Sequence, residues 1–410
     1  MSHAAAELAA RASYGKLVAY LSAWSRDVAA AEDALGDAFL EALETWPRTG
    51  VPDKPEAWLL TVARRRLIDS ARHAKVEETA AAALRVVIER AEQEASANAI
   101  FPDTRLALLF VCAHPAIDEA ARTPLMLQTV LGLDAARIAQ AFLVAPAAIG
   151  QRLVRVKAKI RDAGIHFEVP GARELPSRLD FVLDAIYAAY GSGWEDVAGA
   201  DPRRQGLAEE AIWLGRLVTH LLPDEPEGKG LLALMLHCEA RRAARRDARG
   251  AYVPLSRQDV ALWSHAMIDE AEATLSGAAV AKRPGRFQLE AAIQSVHARR
   301  AVTKRTDWEA IALLYEGLLR LAPTTGARVG HAAALGEARG PESGLAALDG
   351  IPSEDVAGYQ PYWALRGHLL KRLRRTAEAK GVLERAMALS QDPAVRDFLR
   401  DSFDTASESA

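Results

Sequence analysis

The chain has 410 residues, too many for one ordinary domain. It is 50% hydrophobic and 26% charged, enough apolar material for several cores, which excludes disorder throughout. A net charge of −3, with 20 Lys and Arg against 20 Asp and Glu over residues 1–165, excludes a generally basic nucleic-acid binder. Two cysteines, Cys112 and Cys238, exclude a disulfide framework or a four-cysteine zinc site, and there is no run of about 18 apolar residues to span a membrane.

Alanine is the most frequent residue, at roughly a fifth of the chain. It is the best helix former and a poor strand residue, so composition predicts an all-α protein. The first residues show no basic segment leading into an apolar stretch, and a reducing cytoplasm is the expected compartment. Periodicity divides the chain into residues 1–73, an Ala/Glu-rich linker at 74–100, a second periodic stretch at 101–169, a long helical region at 170–400 and a small polar tail at 401–410, expected to fray.

In Ala31–Trp46, Leu35, Ala38, Phe39, Ala42 and Trp46 share one helical face, while Asp33, Asp37, Glu41 and Glu44 share the opposite one. Such an acidic arc is either solvated surface or a docking face for a basic partner. Pro55–Arg72 forms a second helix with Pro55 in its first turn. Its apolar face is Trp58, Leu59, Val62, Ala63 and Leu67. Arg64, Arg65 and Arg72 lie opposite, and Arg66 points to the apolar side and snorkels. Arginines beside a Trp-bearing helix suit phosphates and unstacked bases, and suit plain surface equally.

Asp134–Arg161 carries the clearest pattern. A short helix with Ile138, Ala139 and Phe142 inside meets a turn at Leu143–Ala145, and Pro146 opens a second helix with a buried stripe of Ile149, Leu153, Val156 and Ile160. Ala148, Gln151, Arg152, Arg155 and Lys159 share its outer face. From Ala147 to Arg161 there are five basic residues and no acid. This is the pattern of a helix-turn-helix whose second helix enters a major groove, with a plain αα-hairpin as the alternative.

Two such modules in this order resemble a bacterial sigma factor of the sigma-70 superfamily, extracytoplasmic-function type. DVAAAEDALGDAFLEALETWPRTGVPDKPEAWLLTVARRRLID (27–69) is similar to region 2. The resemblance implies that Asp33, Asp37 and Glu41 contact the clamp helices of the RNA polymerase β′ subunit. It implies that Trp58, Arg64, Arg65 and Arg72 serve the −10 element, although Arg65 stands where Asn is common and Gly36 where Gln is usual. Residues 101–169 resemble region 4, implying that Ala148, Gln151, Arg152, Arg155 and Lys159 read the −35 element and that the module meets the polymerase β flap. FLVAPAAIGQRLVRVKAKIRDAGIHFEVP (142–170) is especially close to a subgroup with a long C-terminal tetratricopeptide-like extension. AEEAIWLGRLVTHLLPDEPEGKGLLALMLHCEARRAAR (208–245) and TDWEAIALLYEGLLRL (306–321) resemble that extension. YAAYGSGWED (187–196) and VGHAAALGEA (329–338) depart from it.

Within the extension, residues 307–321, 327–348, 360–373 and 376–389 read as successive helices, which stack as a solenoid with a concave surface. Ser177–Tyr190 reads as an amphipathic helix, with Tyr190-Gly191-Ser192-Gly193-Trp194 as its C-terminal turn. There is no HExxH, CxxC, GxxxxGK[ST] or GxSxG, and His237 and Cys238 read as core. No enzyme, metal or cofactor is expected. The expected partners are core RNA polymerase and promoter DNA, with an intramolecular contact between the extension and the sigma modules and no membrane. The other reading is a helix-turn-helix regulator or scaffold with a repeat-based interaction domain, acting without polymerase.

Overall fold

The computed structural model describes residues 2–25, 27–74, 103–142, 144–162, 170–195 and 206–407. Among them every regular element is helical, apart from one isolated bridge between Arg246 and Tyr252, so the protein is all-α. Apart from Ala74, the expected linker at 74–100 lies outside the described residues. Backbone contacts divide the chain into two compact units, Met1–Gly193 with Asp201–Leu221, and Trp194–Ala200 with Leu222–Ala410.

The first unit opens with α1 (Ser2–Ser25), α2 (Val28–Thr49) and α3 (Pro55–Ala74), each packed on the other two. The Asp27 carboxylate accepts from Ala30 N and starts α2, and Gly50, at φ 88°, ends it. The predicted face of α2 is inside, with Leu35, Ala38, Ala42 and Trp46 buried. Trp46 meets Trp58 of α3 edge-on at 5.5 Å between ring centroids. Truncating Trp46, 2% exposed, would cost about 3–5 kcal/mol in lost burial and cavity.

The second group is α4 (Thr104–Cys112), α5 (Glu119–Thr129), α6 (Ala135–Ala141) and α7 (Pro146–Asp162). Asp134 caps α6 by accepting from Arg137 N, and Pro146 starts α7. Ile149, Leu153, Val156 and Ile160 form the expected buried stripe. Phe142, expected inside, is 38% exposed because it terminates α6 rather than continuing it. Leu143 lies outside the described residues.

Two further helices, α8 (Leu175–Glu195) and α9 (Leu207–Leu221), belong largely to this unit. The buried Arg178 donates to the Phe110 carbonyl at 3.1 Å and to Glu174 at 3.0 Å. Arg105, also buried, pairs with Asp103 at 3.2 Å and with Glu210, and its guanidinium lies 4.6 Å from the Trp213 ring centroid. Arg122 stacks on Phe181 at 4.5 Å. The boundary expected at residues 169/170 therefore falls inside a packed unit. The expected turn at 190–194 is helix instead: α8 runs through it, and Gly193 serves close packing, since a Cβ there would lie 2.7 Å from Ala208 N.

The second unit is built from α10 (Pro226–Glu239), α11 (His265–Ala279), α12 (Arg286–Ala298), α13 (Arg300–Thr303), α14 (Trp308–Leu321), α15 (Thr325–Ala338), α16 (Pro341–Asp349), α17 (Ser353–Val356), α18 (Gln360–Arg372), α19 (Thr376–Leu389) and α20 (Pro393–Ser407). Neighbours in sequence are mostly neighbours in space, as in stacked helical repeats. Its apolar side chains form separate local clusters, around Ile311 and Leu318, around Leu348 and Leu369, and around Leu383 and Leu399. The helix expected at 327–348 is two helices, because Gly340 at φ 101° followed by Pro341 stops one and starts the next. The expected frayed tail is helical through Ser407, and 408–410 lie outside the described residues.

Candidate polymerase and promoter interfaces

The acidic arc of α2 faces outward. Asp33, Asp37 and Glu44 are exposed, and Glu41 is half-exposed with Arg66 at 3.0 Å from its carboxylate. Arg66 is thus an exposed ion-pair partner rather than a side chain snorkelling over the core. Gly36, in the same stripe, leaves the space beyond its Cα empty. Leu40 stands between the acids, 61% exposed. Its position seven residues after Asp33 places it on the acidic arc. The stripe pairs negative charge with an apolar centre and a bare stretch of backbone, a combination suited to a basic helical partner.

On α3 the predicted nucleic-acid residues separate. Arg65 projects into solvent with its side chain 82% exposed and Asp69 at 3.9 Å. Arg64 instead turns toward α1, its guanidinium 4.9 Å from the Tyr20 centroid and 5.7 Å from that of Trp24, and donates to the Tyr20 hydroxyl. Trp58 is half-buried against Trp46. The Arg72 side chain lies outside the described residues. Tyr20, 38% exposed, joins Arg64 in a small aromatic and cationic patch that α3 by itself did not reveal.

On α7, Ala148, Gln151, Arg155 and Lys159 lie together on an exposed face, as predicted. Arg155 Nε reaches back to the Gln151 carbonyl at 3.4 Å. Arg152 is half-buried, and its Nη1 donates to the Ala120 carbonyl at 3.0 Å, so it braces α7 against the start of α5. Small and polar residues at the start of α7, with basic residues further along, suit close approach to a duplex and contact with phosphates.

The inner side of α7 is as informative as the outer. Lys157 Nζ lies 2.8 Å from Glu32 Oε1 of α2, and the Tyr14 hydroxyl of α1 donates to the same oxygen at 3.3 Å. Beside them the chain packs so closely that a Cβ on Gly15 would collide with the Val130 carbonyl. Burial, reinforced by the charge of Glu32, pushes the Tyr14 hydroxyl and the Cys112 thiol well above their usual ranges. Cys112 is accordingly a protonated, unreactive core residue.

Among the described residues no group of three or more His, Cys, Asp or Glu side chains could hold a metal ion, and no helix is long and apolar enough to cross a membrane. His237 and Cys238 are buried or half-buried. Burial and the charge of Arg241 hold His237 down to about 4.

Residues 10–76 match sigma-70 region 2, the stretch that contains the acidic arc and the whole of the arginine helix. Residues 178–279 match a family of unknown function (DUF6596). An uncharacterized protein of Rhizobium meliloti (strain 1021) is 40% identical over 384 residues, covering 92% of this chain and 90% of its own. No solved structure matches. Region 2 is a transcription-initiation module that binds core RNA polymerase and promoter DNA. The chain therefore belongs to one family with its Rhizobium meliloti relative and, through the region 2 at its N-terminus, to the sigma-70 superfamily.

Proposed function

We propose that the protein is an alternative sigma factor of the extracytoplasmic-function type, which brings core RNA polymerase to a dedicated set of promoters. The region 2 match over residues 10–76, together with the outward acidic stripe of α2, carries this reading. Asp33, Asp37, Glu41 and Leu40 dock on the β′ clamp helices. Arg65, assisted by Trp58, Arg64 and Arg72, engages the opened −10 element, where capture of unstacked bases offsets the cost of melting. Ala148, Gln151, Arg155 and Lys159, with Arg152 as brace, present the helix-turn-helix to the −35 element, and the same module meets the β flap. The balanced charge of residues 1–165 supports weak binding to DNA alone and strong binding only with polymerase.

The extension is, on this reading, a tetratricopeptide-like regulatory domain that takes the place of a separate anti-sigma factor. The contacts of Arg105 with Glu210 and Trp213, of Arg122 with Phe181 and of Arg178 with the Phe110 carbonyl support an intramolecular role, since they join α8 and α9 to α4 and α5.

The test is transcription in vitro with the full chain and core polymerase over a promoter library. Promoter-specific initiation is expected, and Asp37→Arg should weaken the affinity for core polymerase about tenfold by placing like charge against a basic partner. A chain that binds duplex DNA but neither binds core polymerase nor directs initiation is instead a regulator or scaffold acting without polymerase.

A further inference from the structure

We propose that the tip of the second unit around α13 is a further DNA-binding surface, which holds the phosphate backbone of duplex flanking the two promoter elements. The proposal rests on the sigma-factor reading and adds a contact to it.

Two stretches of chain bring cations to this tip. Arg299 precedes α13, Lys304 and Arg305 follow it, and Arg257 comes from the segment between α10 and α11. Arg300 joins the two stretches. It donates from Nη1 to the Ser256 carbonyl at 2.7 Å and from Nη2 to the Gln258 carbonyl at 3.0 Å, on either side of Arg257. Its guanidinium also lies 5.1 Å from the ring centroid of the buried Trp263, and α13 packs on the short turn Val260–Leu262. The tip is therefore braced from below, while Arg257, Arg299, Lys304 and Arg305 are all exposed.

These four cations have no carboxylate to neutralise them. Among the described residues none of them makes an ion pair, and Lys304 Nζ donates only to the Ala301 carbonyl, at 2.8 Å. Other exposed arginines of the same unit are paired, Arg339 with Glu309 at 3.0 Å and Arg375 with Glu378 at 2.7 Å. The acids nearest in sequence, Asp259 and Asp307, turn to the backbone and accept from Ala261 N and Ala310 N. The chain beyond residue 165 carries the whole net charge of −3, so this concentration of positive charge is local and runs against composition. A duplex presents one negative charge per about 1.7 Å of its axis, and exposed cations bind it by releasing its condensed counterions. A protein partner would need an apolar centre to bury, and the tip offers Val302 alone, 84% exposed. The second unit begins at the end of α8, whose Arg178 is bonded to the Phe110 carbonyl of the region 4 module. The tip is thus tethered to the −35 reader, and duplex is at high local concentration whenever that element is bound.

The test compares wild type, R257A/R299A/R305A, R257K/R299K/R305K and V302S as full chains. Arg300 and Lys304 are left in place because they hold α13 together. All four should share one melting midpoint, since the replaced side chains are exposed. The first measurement is affinity for a random-sequence duplex across a salt series. The alanine variant should bind about tenfold more weakly at low salt, and its log–log salt slope should fall by about 2–3. The lysine variant and V302S should stay within about twofold of wild type, because phosphate binding needs charge and not the apolar side chain. The second measurement is a hydroxyl-radical footprint of each holoenzyme on a promoter. Wild type should protect duplex outside the −10 and −35 elements, and the alanine variant should lose that protection alone. An unchanged affinity and salt slope in the alanine variant overturns the proposal. So does a result in which the alanine variant and V302S weaken binding to core polymerase but leave duplex binding intact, which makes the tip a protein-docking surface. If wild type fails to initiate with core polymerase yet shows duplex binding that the alanine variant loses, the sigma-factor reading falls and the DNA-binding tip stands.

Discussion

Arg152 and Arg155 are both basic residues of one helix, and the structure gives them different work. Arg155 is exposed on the outer face, whereas Arg152 is tied to the Ala120 carbonyl. Arg155→Ala should reduce −35-dependent initiation about tenfold, the cost of one lost nucleic-acid contact, with an unchanged melting temperature. Arg152→Ala should lower both, because it also releases the brace on α5. Calorimetry beside transcription assays separates the two. His237 supplies a residue-scale prediction in the second unit. It is 1% exposed, its pKa is lowered from about 6.5 in the unfolded chain to about 4, and Glu272 at 3.6 Å does not offset the burial. The unfolded state therefore binds the extra proton between these values. Stability is full above about pH 6.5 and falls as the pH drops toward 4, by about 3 kcal/mol for this residue. His297, half-buried and held down to about 4 by desolvation and the charges of Arg241 and Arg300, adds to the slope. Denaturant melts at pH 7 and pH 5 should show the loss, and His237→Leu should roughly halve its pH dependence.

At the scale of the element, the helices follow from local chemistry. The stripe Ile149, Leu153, Val156 and Ile160 was readable because a helix repeats every 3.6 residues wherever it is placed. Periodicity and structure part where one residue type has two uses. Gly193 reads as a cap but serves a close crossing of helices, and Gly340 reads as a residue inside a helix but takes a left-handed conformation that ends one. Gly15 belongs to the same group. Replacing it with Ala gains about 1 kcal/mol of helix propensity, yet the added methyl meets a backbone carbonyl that no rotamer change can move. Gly15→Ala should therefore destabilise the packing of α1 on the end of α5 by about 1–3 kcal/mol, seen as a lower denaturation midpoint with the helix content of the folded state retained.

At the scale of the molecule, the first unit takes in α8 and α9, well past the boundary that composition and the Val169-Pro170-Gly171 break imply. Cutting the chain at residue 169 removes Glu210 and Trp213, which leaves the buried Arg105 with Asp103 alone, and removes Phe181, the ring under Arg122. Losing one of two carboxylates around a buried guanidinium is costly. A chain of residues 1–169 should melt well below one of residues 1–221 or aggregate, whereas residues 1–221 should melt cooperatively. Scanning calorimetry of the two fragments checks this, and it identifies which truncation is fit for asking whether the extension activates or inhibits.

The all-α class, the faces of individual helices and the residues available for partners are properties of periodicity and residue type, and these act over a few turns of chain. Asp33, Asp37, Gln151 and Arg155 read as outward-facing on that ground, and they lie exposed. Glu32 differs. In the run Ala31-Glu32-Asp33 it reads as one more acid, yet it is buried against Lys157, 125 residues away. Lys157 likewise reads as one of five positive charges on a helix. Local pattern says which side chains a helix offers but not which distant element will meet them. That choice depends on the mutual packing of all the helices at once, and only the folded chain makes it.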